Sequence, residues 1–171
     1  MKTLSFVAGT LLVAALAAPV AAQTTGTRIK GKTEQPVSII RFEEPAEIAL
    51  ARSLIARGEI DAAIETVEGL LAQDSAPDIQ YFGHNALCVA HSAGKNWDEA
   101  LKACDQAVAI RSGHWMALNS RGTVHLMAGR ISAAIADYEA ALASLSENAN
   151  ARQVVEHNLE LARNAREAPV G

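Results

Sequence analysis

Gly58-Glu59-Ile60-Asp61-Ala62-Ala63-Ile64, Lys95-Asn96-Trp97-Asp98-Glu99-Ala100-Leu101 and Gly129-Arg130-Ile131-Ser132-Ala133-Ala134-Ile135 are three copies of one pattern. Each opens on a turn residue, brings an apolar residue two places later and carries an alanine three places after that. The alanines Ala63, Ala100 and Ala134 lie 37 and then 34 residues apart, a period that belongs to stacked helix pairs. Twelve residues before each alanine stands another small residue, Ala51, Cys88 or Gly122, and seven after it come Leu70, Ala107 and Ala141. Small side chains at fixed spacing on successive helices let two backbones approach closely. The expectation is a repeat protein built from helical hairpins.

The pattern resembles the tetratricopeptide repeat, whose unit has a first helix, a Gly-containing turn, and a second helix opened by an apolar residue and carrying an alanine. The third copy is closest, with Asn119-Ser120-Arg121-Gly122 on its first helix, Ala128-Gly129-Arg130 at the turn, and Ala134-Ile135-Ala136-Asp137-Tyr138 through Ala141-Leu142 beyond. The second has Trp97 at the helix-opening slot but Lys95 where its neighbours have Gly, and the first diverges most. The resemblance covers residues 44–142 and implies an all-α solenoid of three repeats, placed at 44–77, 81–114 and 115–148. The extra three residues of the first spacing are expected in Gln73-Asp74-Ser75-Ala76-Pro77-Asp78, a turn by composition.

Outside the repeats, Lys2 precedes an apolar run from Leu4 to Ala18 and then Pro19-Val20-Ala21-Ala22-Gln23. The run is short and alanine-rich for a membrane span, and Val20 and Ala22 suit cleavage before Gln23, so residues 1–22 read as a secretory signal peptide. The expected mature protein is exported, in the style of a bacterial periplasmic protein, with no membrane insertion after cleavage. Residues 23–43 read as a flexible leader that ends in a short apolar arm, Val37-Ser38-Ile39-Ile40-Arg41-Phe42. A lone strand has no sheet to join. Past Ser146-Glu147-Asn148-Ala149-Asn150, Val154, Val155, Leu159 and Ala162 follow at helical spacing, and Arg152, Glu156, Glu160, Arg163 and Arg166 occupy the other face. This predicts a capping helix over residues 149–166 that solvates the end of the stack. Residues 167–171 are expected to be a disordered tail.

Fifteen Lys and Arg stand against 19 Asp and Glu, and aromatics are 4% of the chain. Losing the signal would remove Lys2 and no acid. A mildly acidic chain with few aromatic rings offers neither a counterion-releasing stripe nor a stacking platform for nucleic acid. Two cysteines, Cys88 and Cys104, sit on the two helices of the second repeat at the same height, both towards the seam. In an exported protein that register favours a disulfide; the other readings are two buried thiols and a redox pair, the last without a CxxC arrangement to support it. Of the five histidines, His84 and His91 are seven apart, while His91 and His125 hold the same slot of successive repeats, where the first has Leu54. Neither spacing is a metal-ligand pattern, so packed, hydrogen-bonded imidazoles are expected and no metal or cofactor. A pH-sensitive His91/His125 pair is the alternative.

Arg121 takes an inward slot that is Leu50 in the first repeat and Leu87 in the second. A cation there needs a partner, and Asp137 on the opposing helix is expected to form a structural ion pair with it. The chain has no Gly-rich phosphate loop, nucleophile elbow or paired catalytic carboxylates, so no catalytic residue is assigned. The resemblance implies that first helices line a concave groove that holds peptide segments of other proteins. The groove residues expected on it are Arg52, Phe82, Asn85, Val89, Met116, Asn119, Thr123 and Leu126, with Ile48, Ile55 and Ser92 on the same faces. Asn85 and Asn119 hold equivalent slots and suit the main chain of an extended peptide. The Lys, Arg and Asn clamp by which some family members grip a C-terminal carboxylate falls here on Ile48, Arg52, Ala86, Met116 and Ser120, so it is absent. The expected function is a periplasmic scaffold or adaptor that binds a segment of an envelope protein. The alternatives are a structural or self-associating module, its groove filled by the leader arm or another copy, and a redox-linked protein using Cys88/Cys104.

Overall fold

The computed structural model describes residues 44–145 and 149–167, so the expected signal peptide, the leader arm, most of the turn before the last helix and residues 168–171 lie outside the described residues. The described chain is helical: α1 (Ala46–Ala56), α2 (Ile60–Gln73), α3 (Pro77–Ala93), α4 (Trp97–Ile110), α5 (Trp115–Met127), α6 (Ile131–Ser144) and α7 (Ala149–Glu167). Helices pair as α1 with α2, α3 with α4 and α5 with α6; each pair packs on the next, and α7 closes on α6 and α5.

The seams explain the small residues. Ala51 and Ala63, Cys88 and Ala100, and Ala134 are all fully buried. At Gly122 a β-carbon would stand 2.8 Å from the ring of Tyr138, so glycine is what lets the buried Tyr138 lie across α5. The Tyr138 hydroxyl then donates to Thr123 Oγ1 at 3.1 Å.

All three hairpin turns have one geometry. Gly58, Lys95 and Gly129 take φ of 78°, 61° and 75°, and the amide of the next residue reaches back to the carbonyl five before it: Glu59 to Leu54, Asn96 to His91 and Arg130 to His125, at 2.8–2.9 Å. This left-handed helix stop favours glycine. Lys95 adopts it without glycine's freedom, which accounts for the one exception in the sequence pattern.

Two boundaries differ from expectation. The three extra residues of the first spacing are not in the turn: α3 begins at Pro77, four residues earlier than expected, and is 17 residues long against 11 and 13 for α1 and α5. Proline at a first helical turn lacks only an amide that has no partner there, and its φ is already helical. The turn shrinks to residues 74–76, where Asp74 Oδ1 accepts from the Ala76 amide at 2.8 Å and Gln80 Nε2 donates to the Leu71 and Asp74 carbonyls. At the other end Glu167 belongs to α7 rather than to the tail.

Ala100→Leu is expected to destabilise the protein by ~1–3 kcal/mol through overpacking of a seam that has no room. Chemical denaturation read by circular dichroism measures this, and an unchanged midpoint would refute the helix register.

Candidate functional site

Along α1, α3 and α5 the side chains facing away from the second helices line two adjoining hollows. The first, about 70 Å³, is bounded by Glu44, Ile48, Arg52, Ile55, Phe82, Asn85, Ala86, Val89 and Met116. The second, about 330 Å³, is bounded by Val89, Ser92, Ala93, Asn119, Ser120, Thr123, Val124 and Met127. Val89 belongs to both, so they form one groove crossing three first helices. Of the expected groove residues, Arg52, Phe82, Asn85, Val89, Met116, Asn119 and Thr123 line it.

Leu126 does not. It packs with Trp115, Ile131 and Leu142 against the core around Tyr138, and Met127, 54% exposed, takes the groove position. Three helical turns consume 10.8 residues at 3.6 per turn, so the stripe that starts at Met116 returns at 127 rather than 126. The same step from Phe82 reaches Ala93, also missed. Ile48 and Ser92 border the groove but are themselves buried, at 3% and 7% exposure.

The groove is almost free of charge. Glu44 and Arg52 are the only ionic groups lining it, and they pair with each other. Its polar atoms are amides and hydroxyls. Thr123 Oγ1 donates to the Asn119 carbonyl at 2.9 Å and is satisfied. Asn119 Oδ1 accepts from Asn158 Nδ2 of α7 at 2.9 Å, while Asn85 Oδ1 is out of reach of water and has no hydrogen-bond partner.

Charge gathers on the opposite side. Arg121 Nε and Nη2 grip the two oxygens of Asp137 at 2.9 and 2.7 Å, and Nη1 reaches Asp105 Oδ1 on α4 at 2.8 Å. Asp105 was not foreseen. The forked contact with Asp137 raises the Arg121 pKa, partly opposed by burial. The slot therefore faces both the second helix of its own repeat and that of the repeat before. Leu50, expected to point inward, is 50% exposed, because no second helix precedes α1 among the described residues.

His125 Nε2 lies 3.8 Å from Asp137 Oδ2, and burial lowers its pKa and that of His84. The expectation of hydrogen-bonded imidazoles is not met at Nδ1, which in His84, His91 and His125 is buried without a partner. No cluster of His, Cys, Asp or Glu among the described residues is arranged to hold a metal.

Where α4 meets α5, His114 Nδ1 accepts from the Met116 amide at 3.4 Å and lies 2.7 Å from the Tyr81 hydroxyl. An acceptor at Nδ1 makes the tyrosine the donor. Burial pushes the Tyr81 pKa up to about 12, and burial together with Arg111 lowers that of His114. The Arg111 guanidinium stacks over Tyr81 at 4.7 Å and Phe82 at 5.6 Å, which holds Phe82 on the groove wall. In the second repeat Cys88 and Cys104 are joined, with Cα atoms 4.9 Å apart.

The profile of the tetratricopeptide repeat-like domain family matches residues 14–163; the chain belongs to that family. No curated protein matches it in sequence. Among solved structures, it is similar to the TPR domain of P58(IPK), with a TM-score of 0.60 and 24% identity over 71% of this chain and 33% of that one, so it spans a third of that relative's length. It is also similar to the first TPR domain of human RPAP3, at 0.54 and 20% over 69% and 93% of the two chains. The first TPR of Spaghetti (RPAP3) bound to HSP90 peptide SRMEEVD aligns at 0.54 and 21%, over 71% and 91%. At these identities the likeness is one of fold.

Asp137→Ala is expected to cost ~3 kcal/mol, because it strands a half-buried guanidinium, whereas Asp105→Ala, at an exposed partner, costs under ~1 kcal/mol. Equal losses in denaturant melts would refute the ranking. Cys88 and Cys104 close a loop of 16 residues, which in the chain-entropy model is worth about 3 kcal/mol. Reduction should lower the melting temperature. Intact mass after alkylation under denaturing conditions checks the bond, and two alkylated thiols without reductant would exclude it.

Proposed function

We propose that this chain is an exported, non-catalytic scaffold that holds a segment of another envelope protein in the groove lined by α1, α3 and α5. The observation that carries the reading is the groove itself. It is continuous across three first helices and leaves Val89 and Met127 38% and 54% exposed, so apolar surface stays open where a partner can cover it. Asn85 and Asn119 add amide groups suited to a main chain. A related fold, the first TPR of Spaghetti, holds a peptide, which supports a peptide as ligand here. That peptide, SRMEEVD, ends in acidic residues, while the clamp positions of this chain hold Ile48, Arg52, Ala86, Met116 and Ser120. The ligand therefore differs in kind.

Export rests on Lys2, the apolar run Leu4 to Ala18 and the small residues before Gln23. The Cys88–Cys104 bond fits an oxidising compartment.

Replacing Asn85 and Asn119 together by Ala should leave helicity intact and reduce partner capture from envelope extracts several-fold. Asn119→Ala also removes the hydrogen bond to Asn158, about 1 kcal/mol of stability, so melting is followed in parallel. Unchanged yield and composition with wild-type circular dichroism would move the binding surface elsewhere.

A further inference from the structure

We propose that the occupant of the groove is an uncharged, apolar segment of a partner polypeptide, bound in extended conformation with its main chain read by Asn85 and Asn119. The inference rests on the reading of the groove as a peptide site and specifies its ligand.

Charge decides the first part. The two hollows contain one ionic pair, Glu44 with Arg52, and no other ionisable side chain. A charged ligand side chain entering them would lose hydration and find no free counter-charge. Val89, Met116, Val124 and Met127 offer instead a soft apolar lining, and thioethers adapt to side chains of varied shape.

The amides decide the second part. A helical ligand has already satisfied its own N–H and C=O groups, so it gives groove amides nothing to bond. An extended segment keeps both groups free on its edges. Asn85 Oδ1 is an acceptor that lacks a donor. Asn119 is complementary: its oxygen is taken by Asn158, which turns the amide so that its two N–H donors remain for a carbonyl. Acceptor and donor stand at equivalent positions of neighbouring repeats, a pairing that matches a main chain and ignores its side chains. Specificity then comes from alternate apolar residues that face the groove, as the two-residue period of a strand requires.

The test uses the whole chain and a fluorescent, N-acetylated, C-amidated probe of alternating valine and serine, about nine residues long and so about 30 Å when extended. Expected is saturable binding whose Kd changes less than about two-fold between roughly 0.05 and 0.5 M salt. Val89→Asp, at an exposed position, should weaken it at least ~10-fold, and Asn85→Leu ~5-fold with an unchanged melting temperature. Two serines replaced by aspartate in the probe should cost ~10-fold, as should reordering the same residues so that valines fall at helical spacing. Tighter binding of the aspartate probe or of SRMEEVD, or a steep salt dependence, would overturn the neutral occupant and leave a peptide groove standing. Equal or tighter binding of the helically spaced probe would overturn the extended conformation. If no probe binds and Val89→Asp leaves capture from envelope extracts unchanged, the groove reading falls with the proposal.

Discussion

The close approach of two antiparallel helices at a small residue is the constraint from which the rest follows. With Ala63, Ala100 and Ala134 buried at the seams, each hairpin is narrow enough to stack on the next at a constant spacing. Constant spacing keeps α1, α3 and α5 side by side. Only then do Arg52, Asn85, Val89, Met116 and Asn119, from three separate hairpins, line one furrow. Function in this design is a property of register: no pair of groove residues is adjacent in sequence, and the alanines that align them touch no ligand.

The ends of the stack show what the seams require. Counting 34 residues on from α5, the seam slots Leu118 and Gly122 become Arg152 and Glu156, while Arg121 and His125 become Val155 and Leu159. Val155 and Leu159 are buried against α6, at 0% and 6% exposure, and Arg152 instead sits 4.0 Å from Glu156 and donates to the Leu145 carbonyl. So α7 behaves as the first helix of a further repeat whose inner face is retained and whose seam face is made polar. That is how a solenoid stops without leaving an apolar end open. The groove does not stop with it: the position that follows Met127 by one repeat is Leu161, 47% exposed, and Asn158 links α7 to Asn119.

Much of this was legible in the sequence. The seam alanines, the turn residues and the polar face of the capping helix are strictly local patterns with a 34-residue or helical period, and each specifies one geometry. Charge partners were legible in part: Asp137 shares a hairpin with Arg121, but Asp105 comes from the repeat before, and no spacing within one repeat points to it. Leu50 reads as core by analogy with Leu87, yet burial needs a neighbour and α1 has none before it among the described residues. Leu126 and Met127 are separated by a single residue of helical phase, a distinction that a counting rule of three or four blurs and a pitch of 3.6 settles. The absorption of Pro77 and Asp78 into α3 shows turn composition losing to proline's fitness for a first helical turn.

The distribution of polar groups gives the two faces different tasks. On one side Arg121 ties Asp105 of the second hairpin to Asp137 of the third with charge-assisted hydrogen bonds, and the disulfide ties α3 to α4 within the second. Both strengthen the middle of the stack, where the first helices must hold their alignment. On the other side the groove has its single ionic pair at one end and carries neutral amides and apolar chains elsewhere. A strongly charged cross-link needs partners held in fixed geometry to repay its desolvation, and a rigid stack supplies them. A site that accepts varied side chains is better served by groups that bond a main chain common to all polypeptides. Placing fixed charge on the face that sets spacing and neutral groups on the face that meets the ligand lets the same three hairpins be rigid and permissive at once.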